Sequence, residues 1–262
     1  MKILLNGKKA LVGGSSSGIG RAIAMELAAC GASVTLMARS EEKVKAVLAD
    51  LNTDAGQEHC YLITDFNDYE SHKGNLKYYF ENHTVDILVN NTNGPQAGDV
   101  LHKEEVDYQQ AFDLLFQNAV FASRLALPHM QSQGFGRIIN VSSMTVKEPQ
   151  DSLVLSNTMR TALVSWSKSL SNAVAADGVT VNSILTGYFD TDRLNSLMEN
   201  QAKSVGVDVG DIRKQRVSSV PVKRLGDPKE YGYLTAFLAS DYASFLTGAA
   251  IPLDGGIAKT LF

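Results

Sequence analysis

Two short stretches hold residue types whose spacing suits chemistry. The first is GGSSSGIG, residues 13–20. Its glycines let the backbone turn sharply and approach a phosphate, and its three serines add hydroxyl donors. The second lies in LVLSNTMRTALVSWSKSL, residues 153–170, where Ser156 and Arg160 stand one helical turn apart on one face. A hydroxyl beside a guanidinium can hold and polarise a polar group, or the pair can simply begin an amphipathic helix.

The surrounding elements decide between such readings. Strand candidates are KKALVGG, SVTLMAR, HCYLITD, VDILVNN, GRIINVSS, GVTVNSIL and AAIPLDGG. They are runs of Val, Ile and Leu rather than strict alternations, as expected of strands covered on both faces. Helical patterns lie between them: IGRAIAMELAAC, EEKVKAVLADL, DYESHKGNLKYYFENH, a long one from about Glu104 to Gln131, and the 153–170 stretch, closed at Gly178. This alternation predicts an α/β fold, a Rossmann-type doubly wound parallel sheet of about seven strands in three α/β/α layers. With 262 residues, 44% of them hydrophobic, the chain suits a single domain over 1–262.

In that frame the Gly-rich turn joins the first strand to the first helix. Gly14, Ser15, Ser16, Ser17, Gly18, Ile19 and Gly20 then offer backbone N–H groups and a helix N-terminus to the pyrophosphate of a dinucleotide. A ligand-free flexible loop is the competing reading, and the strand-to-helix placement argues against it. The second strand ends in Ala38 and Arg39, without the carboxylate that would bind a ribose 2′-OH. An arginine there accommodates a 2′-phosphate, which favours NADP(H) over NAD(H).

Composition excludes other classes. Acidic residues outnumber basic ones, 28 to 24, for a net charge of -4 with no basic cluster, so no nucleic-acid partner is expected. Cys30 and Cys60 fit no CxxC or zinc spacing and no disulfide framework, and no metal site is expected. Both are read as buried small hydrophobes in a reducing compartment. MKILLNGKKALVGG lacks the apolar core of a signal peptide, and no run approaches membrane-spanning length. A soluble, cytoplasmic protein without a membrane partner is expected.

GGSSSGIG also resembles the TGxxxGxG fingerprint of the short-chain dehydrogenase/reductase family. DILVNNTNG resembles its NNAG segment, and GRIINVSS the segment bearing its catalytic serine. VPVKRLGDPKE and FLASDYASFLTGAAIPLDGG resemble its C-terminal signature, in the manner of the beta-ketoacyl carrier-protein reductases and glucose dehydrogenases. The resemblance covers nearly the whole chain. It implies that Asp65 contacts the adenine, that Asn90 supports the central strand and that Asn91 beside it faces the cofactor. It implies that Asn118 holds a water, that Ser143 hydrogen-bonds the substrate carbonyl, and that Thr191 lies near the carboxamide and phosphates. It further implies a substrate lid over about 188–220 and a homotetramer or homodimer assembled through the fourth and fifth long helices.

The family also requires Tyr-x-x-x-Lys, the tyrosine giving a proton to the carbonyl oxygen and the lysine lowering its pKa and holding the nicotinamide ribose. Here those positions fall on Ser156 and Arg160, at the usual spacing from Ser143. An alkyl hydroxyl is a far weaker acid than a phenol, whose pKa is about 10. Arg160 keeps a cation for the ribose and for a developing alkoxide but is a poor proton source. Gly13 replaces the family's Thr, and Thr186 the Pro of its PG segment. Tyr188, Lys147 and Glu148 are candidates to reach the pocket, with loop surface or pocket wall as the competing reading. The expectation is an NADP(H)-dependent oxidoreductase moving hydride between nicotinamide and a small-molecule carbonyl or alcohol substrate. Its proton would come from water or Tyr188. The alternative is a non-catalytic dinucleotide-binding protein, a sensor or a subunit of a mixed oligomer.

Overall fold

Seven apolar runs pair side by side into one parallel sheet in the computed structural model, which describes residues 2–261. The strands are β1 (Lys9–Gly13), β2 (Ser33–Ala38), β3 (Cys60–Ile63), β4 (Ile87–Asn90), β5 (Gly136–Val141), β6 (Val179–Thr186) and β7 (Ala250–Leu253). Their order is β3-β2-β1-β4-β5-β6-β7, every pairing parallel. The five inner strands are buried almost throughout, which is why their sequences do not alternate, while β3 and β7 at the edges are half-buried. Strand order reverses beside β1, between β2 and β4, and a ligand crevice opens outside the C-terminal strand ends at such a point.

The helices are α1 (Gly18–Ala29), α2 (Glu41–Ala49), α3 (Tyr69–Asn82), α4 (Glu105–Phe112), α5 (Asn118–Ser132), α6 (Val154–Val174), α7 (Asp192–Val205), α8 (Val209–Ser219) and α9 (Pro228–Ala239). Ile23, Leu27, Val44, Val47, Tyr231 and Ala236 bury α1, α2 and α9 on one sheet face. Leu76, Leu115, Ala122, Met130, Leu155 and Met159 bury α3, α5 and α6, with the turn before α5, on the other. Leu194, Met198, Ala202, Ile212 and Leu225 form a separate cluster that holds α7 to α8, the body of the expected lid. Gly178 stops the α6 segment in the left-handed conformation, φ 73°.

Two expectations need correction. The long pattern from Glu104 to Gln131 is two helices, because a π turn at Asp113–Gln117 interrupts it directly before Asn118. The cysteines are half-buried rather than buried. Cys30 Sγ lies 3.8 Å from Glu26 Oε1, and burial and that carboxylate push its thiol up to about 11. Cys60 Sγ meets Thr35 Oγ1 at 3.0 Å.

Candidate active site and cofactor cleft

The Gly-rich turn leaves β1 at the strand-order reversal. Gly14 and Gly18 take φ +57° and +53° there, where a side chain is strained. A Cβ on Gly14 would lie 2.7 Å from Asn91 Nδ2, and one on Gly20 would run into the Gly14 carbonyl. Asn91 Nδ2 donates to the Gly13 carbonyl at 2.9 Å, and a Cβ on Gly13 would collide with the Asn91 carbonyl. Position 13 therefore excludes the family's threonine unless the loop after β4 moves. Ser17, at the N-cap of α1, makes no side-chain cap, so the first N–H groups of α1 face outward unclaimed by it. Ser16 and Ser17 open onto a groove shared with Arg21, Lys43 and Asp192. Ser15 does not: it is fully buried, and its hydroxyl accepts from the Met37 N–H at 2.9 Å. It ties the turn to β2 instead of offering a donor to a phosphate. A cradle too tight for a Cβ at Gly13, Gly14 or Gly20, ending at an uncapped helix N-terminus, fits a dinucleotide diphosphate.

At the tip of β2, Arg39 is 75% exposed and lies 3.3 Å from Asp65 Oδ2. Asp65 is held below the usual carboxylate range first by the Asn67 backbone N–H, with Arg39 a lesser cause. The Arg39 pairing is loose and solvated, so a phosphate can take the guanidinium over.

At the other end of the crevice, Leu155, Met159 and Leu163 anchor α6 on the sheet, and Ser156 and Arg160 lie on its partly exposed face. Arg160 Nε donates to Ser156 Oγ at 3.2 Å, and Nη1 donates to the Val141 carbonyl at 2.6 Å, two residues before Ser143. Its Nη2 has no partner among the described residues. Burial lowers the Arg160 pKa to about 10; Tyr231 opposes that shift and Arg193 adds to it. The group stays charged at neutral pH. Ser143 Oγ accepts from the Thr145 N–H at 3.2 Å and from Thr145 Oγ1 at 3.0 Å.

Asn118 follows the π turn. Its Nδ2 donates to the carbonyls of Phe66 (2.9 Å) and Leu114 (3.2 Å), while its buried Oδ1 has no partner. A cavity of about 20 Å³ lies against Asn118, Arg160, Asn91, Thr92 and His72. That volume admits about one water; most of the lining is apolar, Leu114, Leu115 and Leu163 among it, and the polar side chains at its wall are the partners such a water would use. The structure thus joins Ser156 to Arg160 directly, and Arg160 to Asn118 across this cavity.

Tyr188 stands apart from that group. Its hydroxyl accepts from Gln150 Nε2 at 3.4 Å, and the Arg216 guanidinium sits 5.0 Å from its ring centre. It bonds none of Ser143, Ser156 and Arg160. Glu148 accepts from the backbone N–H groups of Lys259 and Thr260, pinning the C-terminal segment to this loop. Lys147 ends the short turn at Met144–Val146. Thr191 caps α7 through the Leu194 N–H (3.3 Å), and its methyl lies 3.4 Å from where a Cβ on Gly18 would sit.

Two residues escaped the sequence reading. His72 is buried, with Nδ1 2.9 Å from Thr64 Oγ1, and burial pushes its pKa down to about 4. Its spacing to Leu76 and Tyr79 on the buried face of α3 was the available signal. Arg193, two residues past Thr191, reaches the Pro95 carbonyl at 3.2 Å.

Comparison with known proteins bears directly on this architecture. The profile of the family described as Enoyl-(Acyl carrier protein) reductase matches residues 14–258. The chain is 33% identical to the 3-oxoacyl-[acyl-carrier-protein] reductase FabG of Haemophilus influenzae over 253 residues, 97% of this chain and 99% of that protein. The chain belongs to the short-chain dehydrogenase/reductase family. Other family members are similar throughout. The NADPH-dependent reductase BacG of Bacillus subtilis is 31% identical, covering 97% of this chain and 99% of that protein. The structure of L-sorbose reductase from Gluconobacter frateurii, solved with NADPH and L-sorbose, has a TM-score of 0.91 at 29% identity, covering both chains fully. The family's oxidoreductase fold is therefore intact here.

Proposed function

We propose that this chain is an NADP(H)-dependent reductase of a carbonyl substrate, in which a serine, an arginine and a water divide the work of the usual tyrosine. The relatives support the class: a 3-oxoacyl reductase, an NADPH-dependent reductase and a sugar reductase complexed with NADPH. The Gly-rich turn and Arg39 would hold the dinucleotide, with Asp65, Asn91 and Thr191 flanking it. When bound, that cofactor supplies the hydride.

The observation that carries the reading is the Arg160–Ser156 hydrogen bond. Because Ser156 Oγ accepts from a charged donor, its own O–H is left to donate and is polarised to do so. Ser143 is in the same position, since Thr145 occupies its acceptor side twice. Two hydroxyls whose free valence is a donor suit the oxygen of a carbonyl, and more so an alkoxide. Arg160 adds fixed positive charge where that alkoxide forms. None of the three is a ready acid, so the proton comes from water, held at the cavity between Arg160 and Asn118 Oδ1.

Residues 1–262 act as one dinucleotide-binding domain with α7 and α8 as lid, in a cytoplasmic homotetramer or homodimer packed through α5 and α6. Among the described residues no helix is long and apolar enough to cross a membrane. The test is NADPH oxidation, followed by absorbance, against a panel of ketones, aldehydes and keto sugars. Turnover of any member supports the reading. Tight NADPH binding without turnover across the panel overturns it in favour of a sensor or non-catalytic subunit.

A further inference from the structure

Arg193 is a solvent-exposed guanidinium at the edge of the cleft. Arg21, Arg39, Arg137, Arg213 and Arg224 each pair with a carboxylate, whereas Arg124, Arg160, Arg193 and Arg216 do not among the described residues. Among the described residues Arg193 pairs with none, and its single hydrogen bond goes to the neutral Pro95 carbonyl. That bond reaches from the first turn of α7, the start of the lid, to the loop after β4, and so crosses the mouth of the cleft. The Gly-rich turn is close by, because Thr191 packs against Gly18. Arg160 lies beneath the same loop, lining the cavity with Asn91 and Thr92.

Several neighbouring groups favour an anion. Arg193 sits at the positive end of its own helix, the least favourable place for a cation. The uncapped N-terminus of α1 is adjacent. Arg193 is also near enough to Arg160 to disfavour that second charge. The adjoining acid, Asp192, lines the outer groove with Ser16, Ser17 and Arg21 and, among the described residues, forms no ion pair. Water solvates this exposed guanidinium, and a backbone carbonyl is its one hydrogen-bond partner among the described residues, so the group is free to turn to a ligand. An anion between the Gly-rich turn and the lid would compensate it, and a guanidinium suits the paired oxygens of a phosphate.

We propose that Arg193 is a dinucleotide-binding residue that takes the cofactor diphosphate from the lid side, opposite the Gly-rich turn. This rests on the dinucleotide reading of the cleft but not on turnover.

The experiment is calorimetric titration of the purified protein and of Arg193→Gln and Arg193→Lys with NADPH, NADH and ADP-ribose. Arg193→Gln is expected to weaken all three by a similar factor, about tenfold, and Arg193→Lys, which keeps the charge and loses the fork, to recover part of the loss. Unchanged affinities overturn the proposal. A loss confined to NADPH would assign Arg193 to the 2′-phosphate, and a loss that spares ADP-ribose would assign it to the nicotinamide end; either overturns it. So does an equal loss in both variants with a lowered melting temperature, the mark of a structural strap to Pro95. A wild type that binds none of the three ligands sinks the cleft reading together with this one. Binding without turnover leaves the test intact.

Discussion

At the end of the cleft proposed to hold the diphosphate, the surface is backbone. Gly14, Gly18 and Gly20 expose peptide groups, and their neighbours leave no room for a Cβ at Gly14 or Gly20. At the reaction end the surface is side chain: Ser143, Ser156 and Arg160, each positioned by one or two hydrogen bonds. A backbone site admits few substitutions, because any side chain fills the space the ligand or the turn needs. A side-chain site can be rewritten residue by residue while its charge and donors persist.

The widest test of that contrast restores the usual pair. Ser156→Tyr with Arg160→Lys is expected to raise kcat by about 10²–10⁴-fold, the usual worth of a positioned general acid. A double variant that binds NADPH and reduces no carbonyl faster than the wild type would show that the pocket is limited by something other than its proton donor. At the backbone end, Gly20→Ala drives a methyl into the Gly14 carbonyl. Overpacking of that kind costs about 1–3 kcal/mol, so dinucleotide affinity is expected to fall up to roughly 100-fold by fluorescence titration. Unchanged affinity would mean that the turn is softer than its geometry indicates.

The reaction end should also be the acid-sensitive one, because His72 lines its cavity. Its folded pKa of about 4 lies below the ordinary histidine value of about 6.5. The unfolded chain therefore takes up a proton first as pH falls, and stability is lost from about pH 6.5 down to about pH 4, by up to about 3 kcal/mol. Urea unfolding at pH 7.5 and pH 5 checks this. His72→Phe should be slightly less stable at pH 7.5, since Thr64 loses its partner, yet show a shallower fall on acidification. An identical fall in both proteins would place the acid response elsewhere.

The same contrast decides what the sequence revealed. The sheet was legible because inner strands covered on both faces need continuous apolar runs, and Gly178 was legible because only glycine stops α6 cheaply in that conformation. The π turn before Asn118 was not, since DLLFQ keeps a helical pattern and the change is in hydrogen-bond register. Ser15 showed the limit from the other side. Its hydroxyl looks like Ser16's in the sequence, and only the approach of β2 turns it into the sheet. Arg193 was invisible because its meaning lies in the missing carboxylate, a property of space rather than of order along the chain.

Arg39 refines the backbone end. It is the one side chain there assigned to a part of the ligand that distinguishes two cofactors. Arg39→Ala is expected to weaken NADPH by about tenfold and leave NADH unchanged, since loss of one solvated charge contact is worth about 1.4 kcal/mol or less. Equal weakening of both would move Arg39 from the 2′-phosphate to the shared part of the dinucleotide.

The smallest expected effect lies at Tyr188, the one tyrosine the sequence placed beside the pocket. If it were the proton donor, Tyr188→Phe would cost as much as the double variant gains. Its hydroxyl accepts from Gln150, which leaves its O–H free, but its ring is covered by Arg216 and neither serine nor Arg160 bonds it. A phenylalanine keeps the ring contact and loses one long hydrogen bond, so kcat is expected to change by about twofold or less. A loss of 100-fold or more in steady-state turnover would move the acid to Tyr188 and leave the water between Arg160 and Asn118 without a role. The reaction end would then have relocated a phenol rather than dispensed with one.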